Sequence, residues 1–116
     1  MPVRPALLAL ALAVVPLVAV GASPTFNITI KQHGFAPGTL TVPAGVRVKL
    51  LVKNTRGLPS EFESFDLNRE QIVPSGGTIT VWIGPLSPGK YKIFDDFNPG
   101  TTGWIEVSKA PKDARS

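Results

Sequence analysis

Apolar and polar residues alternate in short runs along most of the chain, and the period is two rather than 3.6. Phe26 to Lys31 alternates and ends at His33-Gly34, which predicts a first strand running into a turn. Thr39 to Val42 predicts a short second strand closed by Pro43-Ala44-Gly45, and Val46 to Lys53 a longer third strand ending in the turn formers Asn54-Thr55-Arg56-Gly57. Glu61 to Phe65 reads as extended, and Leu67 to Val73 as a short piece with room for a helical turn. Thr78 to Ile83, Lys90 to Phe94 and Gly103 to Val107 complete the set, with a loop from Asp95 to Thr102 between the last two. About seven short strands with turn signals every 8 to 12 residues predict an all-β Greek-key antiparallel β-sandwich of immunoglobulin-like shape.

The N-terminus changes the picture. Arg4 precedes an apolar run from Ala6 to Val20, followed by Gly21-Ala22-Ser23, with small residues at Val20 and Ala22 where a signal peptidase reads. The run falls short of the roughly 20 residues that span a bilayer, so a cleaved signal peptide over residues 1–22 is expected rather than an uncleaved anchor. The expected divisions are therefore a signal peptide (1–22), one domain (23–108) and a polar tail (109–116) in an exported, periplasmic protein. With no cysteine, that domain is held by its hydrophobic core alone.

The net charge of +4 does not point to nucleic acid, because the bases are spread along strands: Arg47, Lys49 and Lys53 alternate with Val48, Leu50 and Val52. A solvated strand face is the simpler reading of these than a polyanion site. The acids are clustered instead, Glu61, Glu63, Asp66 and Glu70 in one segment, Asp95 and Asp96 in another.

Tyr91 to Asn98 has the outline of a copper-binding loop in which Cys and, three residues on, His would bind the metal; here those places hold Asp95 and Asn98. The chain has one Met, Met1, and one His, His33, so a type 1 blue-copper site is excluded by composition. Thr41-Val42-Pro43-Ala44-Gly45, then Asn54, then Pro59-Ser60-Glu61-Phe62-Glu63, and later Trp82 to Tyr91 followed by Asp95-Asp96-Phe97, resemble cupredoxin-like domains of the EfeO type. The resemblance covers about Phe26 to Val107. It implies a cupredoxin-like sandwich, a periplasmic place beside bacterial iron uptake, and an inner-membrane iron permease or another uptake component as partner. It also places Glu61 where copper-binding relatives carry their first His ligand.

If the Glu61 segment and the Asp95 loop share one pole, as cupredoxin topology requires, Glu61, Asp95 and Asn98 converge, with Glu63 and Asp96 beside them. Oxygen ligands of this kind suit a hard cation, iron being favoured and copper or another metal less so. The plain alternative is a solvated sandwich end with no metal, its acids paired to Arg69. His33, before a glycine at a turn, reads as a surface residue before it reads as a ligand. Trp82 and Trp104 fall outside the core alternation, and mark either a partner surface or the capping of sheet edges. No nucleophile, base and orienting group fall together, so no enzyme is expected. The readings that remain are a metal-binding accessory of uptake, a metal-free interaction module, and a non-blue copper protein that would need His33.

Overall fold

The computed structural model describes residues 23–109. The expected signal peptide and all but the first residue of the expected tail lie outside them. Nine strands follow one another: β1 (Thr25–Lys31), β2 (Gly34–Ala36), β3 (Thr39–Pro43), β4 (Val48–Asn54), β5 (Ser60–Ser64), β6 (Arg69–Val73), β7 (Thr78–Ile83), β8 (Gly89–Asp95) and β9 (Thr102–Ser108). They form a four-stranded sheet in the order β2-β1-β4-β7 and a five-stranded sheet in the order β3-β9-β8-β5-β6.

The all-β sandwich is as the alternation predicts, but the sheets are mixed rather than antiparallel. β1 runs parallel to β4, and β3 runs parallel to β9. The chain pairs β1 in the first sheet and then carries β3 across to the edge of the second, which gives each sheet one parallel neighbour. Two further differences concern small elements. Gly34–Ala36, read as part of a turn, is a three-residue strand on the edge of the first sheet. The segment read as admitting a helical turn is a tight reversal at Phe65 to Asn68, closed by the Asn68 amide donating to the Phe65 carbonyl at 3.2 Å, followed by strand β6. Asn68 takes a positive φ of 56°, a conformation its short polar side chain tolerates.

Every second residue of the long strands points inward. Ile28, Ile30, Leu50, Val52, Val81 and Ile83 come from the four-stranded sheet, and Val42, Phe62, Val73, Ile93, Ile105 and Val107 from the other; all are buried. Each such side chain contributes roughly 1.5–3 kcal/mol by leaving water, which is how a domain without disulfides holds together. Phe35 packs edge-on against Phe62 with ring centroids 6.3 Å apart, tying the short edge strand to the centre.

Candidate functional site

One end of the sandwich is built by the β4–β5 connection, the β8–β9 loop and the β1–β2 turn. The Asp96 amide donates to the Glu61 carbonyl at 3.0 Å, and the Asn98 side-chain amide donates to the Gln32 carbonyl at 3.1 Å. The Glu61 segment and the Asp95 loop thus share a pole. Their side chains do not share a side of the sheet. In the β5–β8 ladder Phe62 lies opposite Asp95 and Glu63 opposite Phe94. Because successive side chains point to opposite faces, Asp95 turns with Phe62 toward the interior, while Glu61 and Glu63 turn outward with Phe94.

Asp95 is 1% exposed, and both its oxygens are engaged. Oδ1 accepts from the amides of Glu61 at 2.9 Å and Phe97 at 3.0 Å, and Oδ2 accepts from the Arg56 guanidinium at 3.3 Å. The same Arg56 nitrogen donates to Ser60 Oγ at 3.1 Å. Arg56 is itself buried, its amide donating to Asn54 Oδ1 at 2.8 Å and its carbonyl accepting from Ser75 Oγ at 2.8 Å. At the place of the copper-loop cysteine the protein therefore keeps a carboxylate that already holds an internal cation. Asn98 is likewise occupied: its amide nitrogen donates to Gln32 and to Thr101 Oγ1, closing the β8–β9 loop. The convergence of Glu61 with Asp95 and Asn98 expected from the sequence is replaced by two separate constellations, and the reason is the register of β5 on β8.

The outer constellation is acidic. Glu61, Glu63 and Glu70 each bring a carboxylate oxygen within 4.8 Å of the others. Glu63 and Glu70 are direct partners across the β5–β6 hairpin, an arrangement of like charges that is unfavourable when nothing lies between them. Asp96 adjoins the group, its amide bonded to the Glu61 carbonyl. Glu63 is half-hidden by its neighbours but its carboxylate oxygens still reach solvent, with no donor among the described residues bonded to them. Desolvation, then hydrogen bonding to Glu70 and the charges of Glu70 and Glu63, push the Glu61 carboxyl up from 4.5 to about 7. Glu63 is raised as well, first by desolvation and then by the charges of Glu70 and Asp96. Phe65 packs edge-on against Phe94 with centroids 5.1 Å apart beside this group, and a hollow of about 330 Å³ opens between them and the β8–β9 loop.

Several residues take places the sequence did not indicate. Glu70 belongs to the acidic group because β5 and β6 form a hairpin, a pairing invisible while the second segment is read as part helix. Arg56, hidden in a loop, is the buried partner of Asp95, whereas Arg69 donates to the carbonyls of Trp82 at 2.8 Å, Leu67 and Asn68. His33 is exposed at the β1–β2 turn and belongs to no group of three ligating side chains among the described residues. Trp82 lies on β7 of one sheet and Trp104 on β9 of the other, so the two do not form one surface.

A cupredoxin sandwich whose copper loop is rebuilt in oxygen defines the class, and the chain belongs to the family of cupredoxin-like domains, which it matches over residues 5–107. It is 44% identical over 83 residues to an uncharacterized protein of Rickettsia prowazekii (strain Madrid E), a match covering 71% of this chain and 66% of that protein's length. Among solved structures it resembles auracyanin B, with a TM-score of 0.63 and 16% identity over 78% of this chain and 93% of that one. The purple cupredoxin of Nitrosopumilus maritimus scores 0.56 at 21% identity, covering 71% and 98%. The metal-binding domain of the Streptococcus pneumoniae D39 Cu(I)-exporting ATPase, solved with Cu(I), scores 0.64 at 13%, covering 78% and 91%. At these identities the likeness is one of fold. A type 1 copper site does not fit the corresponding loop here, because sulfur is absent from it and Asp95 is bonded to Arg56.

Proposed function

We propose that this is an exported cupredoxin-like binding protein that holds a hard cation on the outer face of its five-stranded sheet, through Glu61, Glu63 and Glu70 with Asp96 beside them. The observation that carries the reading is Glu63: it faces Glu70 directly across the hairpin, the two bring carboxylate oxygens within 4.8 Å of each other and of Glu61, and no described donor lies between them. A cation there supplies the missing partner and removes the repulsion in one step. Oxygen donors favour manganese, calcium or ferric iron over cuprous copper. The order of motifs shared with EfeO-type domains supports iron as the cargo and a membrane permease as its recipient, with the periplasm as the compartment; the N-terminal apolar run supports export. The function is binding rather than catalysis, since His33 stands apart from the acidic group.

The test is calorimetric titration with manganese, calcium, iron(III) citrate and both oxidation states of copper, on the wild type and on Glu63→Gln. One saturable isotherm from an oxygen-preferring ion, lost in Glu63→Gln, supports the proposal. Silence from all of them overturns it in favour of the second reading, a metal-free docking module. That reading has its own observation: Phe65, 78% exposed, and the apolar hollow it forms with Phe94.

A further inference from the structure

The two sheets carry opposite charge. Every acidic residue between positions 23 and 109 lies in a strand or connection of the five-stranded sheet, and none lies in β1, β2, β4 or β7. The outer face of the four-stranded sheet instead gathers Lys31 from β1, Lys49 and Lys53 from β4, and Arg47 just ahead of β4. The strand period places them together, because Ile28, Ile30, Val48, Leu50 and Val52 between them are buried. Threonines, Asn27 and Leu51 share that face, with Thr29 beside Lys53, Asn27 beside Leu51 and Leu51 beside Thr80 in the ladders.

Trp82 lies directly across from Lys49 and under two cations. The Arg47 guanidinium stands 4.1 Å above its ring and the Lys49 ammonium 5.8 Å from it. The one ion pair among the described residues is that of Arg56 with Asp95, buried at one end of the sandwich, so these four cations have no carboxylate partner. Gathering like charges on one sheet face costs Coulomb energy that water and salt screen in part and an anionic counterpart offsets.

We propose that this cationic face docks on the surface of an anionic phospholipid bilayer, with lysine and arginine on the phosphates and Trp82 at the headgroup level. Two features favour a bilayer over a soluble polyanion. The face is a sheet surface with an indole at its edge, a side chain suited to the boundary between water and lipid. The hollows lie on the opposite sheet, so docking this way leaves the acidic group facing water.

The experiment is sedimentation of the full chain with vesicles of phosphatidylcholine alone and with 30% (about a third) phosphatidylglycerol, a composition chosen by analogy with anionic leaflets. The readout is the ratio of the two partition coefficients, which cancels whatever the apolar run contributes to both. The expected result is a preference for the anionic vesicles that weakens with salt and falls by roughly a hundred-fold in Arg47→Gln/Lys49→Gln/Lys53→Gln, at about five-fold per cation. A second variant of equal charge change, Lys90→Gln/Lys92→Gln/Lys109→Gln, is expected to keep most of the preference, since Lys90 and Lys92 lie on the other sheet. Equal partition into both vesicles, or equal losses in the two variants, overturns the proposal. Binding to heparin without preference for anionic vesicles also overturns it, and assigns the face to a soluble polyanion. Both variants alter side chains outside the core, and matching thermal melts confirm that folding is not what changed.

Discussion

Phe62 and Asp95 face one another across β5 and β8, and both are buried. That register fixes the chemistry of this pole. It draws Asp95 inward onto Arg56 and leaves Glu61 and Glu63, one residue either side of Phe62, on the outer face. The place where a related fold would hold a metal is closed by an internal guanidinium, and the acidic group lies on the other side of the same sheet.

Asp95 is accordingly expected to matter for stability and little for cation binding. Asp95→Ala strands the Arg56 charge in the interior, a change that costs about 3–5 kcal/mol when a buried pair is broken. Urea denaturation reads that loss. Asp95→Asn keeps an oxygen for the amides of Glu61 and Phe97 and is expected to bind the cation as the wild type does; a large loss of affinity would place the ion at the inner constellation instead.

Asn54 organises the loop that carries Arg56. Its amide donates to the carbonyls of Leu58 at 2.8 Å and Val73 at 3.1 Å, and its oxygen accepts from the Arg56 amide. Asn54→Ala leaves these groups without partners in a site that excludes water, at about 1–3 kcal/mol for each one left unsatisfied. The expected result is a lower urea midpoint at unchanged slope, together with faster amide exchange at Arg56.

The raised carboxyls give the cation-free protein a pH dependence of definite sign. Glu61 binds its proton more tightly folded than unfolded, so its contribution to stability is complete below pH 4.5 and is lost as pH rises through about 7. Glu63 is raised as well and acts in the same direction. Thermal melts of the cation-free protein are expected to fall between pH 5 and pH 8, and Glu61→Gln is expected to flatten that fall. A bound cation restores stability at pH 8, and its uptake near neutrality releases protons, which calorimetry in buffers of different ionisation heat measures. A wild-type melting curve that rises over this range contradicts the assignment.

How much of this was legible in the sequence depended on whether alternation was visible. β1, β4, β7, β8 and β9 alternate cleanly and were expected within a residue or two. β2 is three residues long, too short to show a period, and β6 buries only Val73 among Arg69, Glu70, Gln71 and Ile72, so its pattern does not distinguish it from a turn of helix. Missing β6 hid Glu70. The pairing of Glu61 with Glu63 followed from the period of two, but the inward turn of Asp95 did not, because the register of β5 on β8 is set by strands far apart in the chain. Arg56 lies in a loop, where no periodicity marks a residue as buried.

The proposed cation site lies on the outer face of the sheet, on Glu61, Glu63 and Glu70. Anomalous diffraction from crystals soaked in manganese locates the ion directly. One peak is expected among those three carboxylates, absent in Glu63→Gln. A peak at Asp95 or His33, or no ordered peak at all, would contradict it.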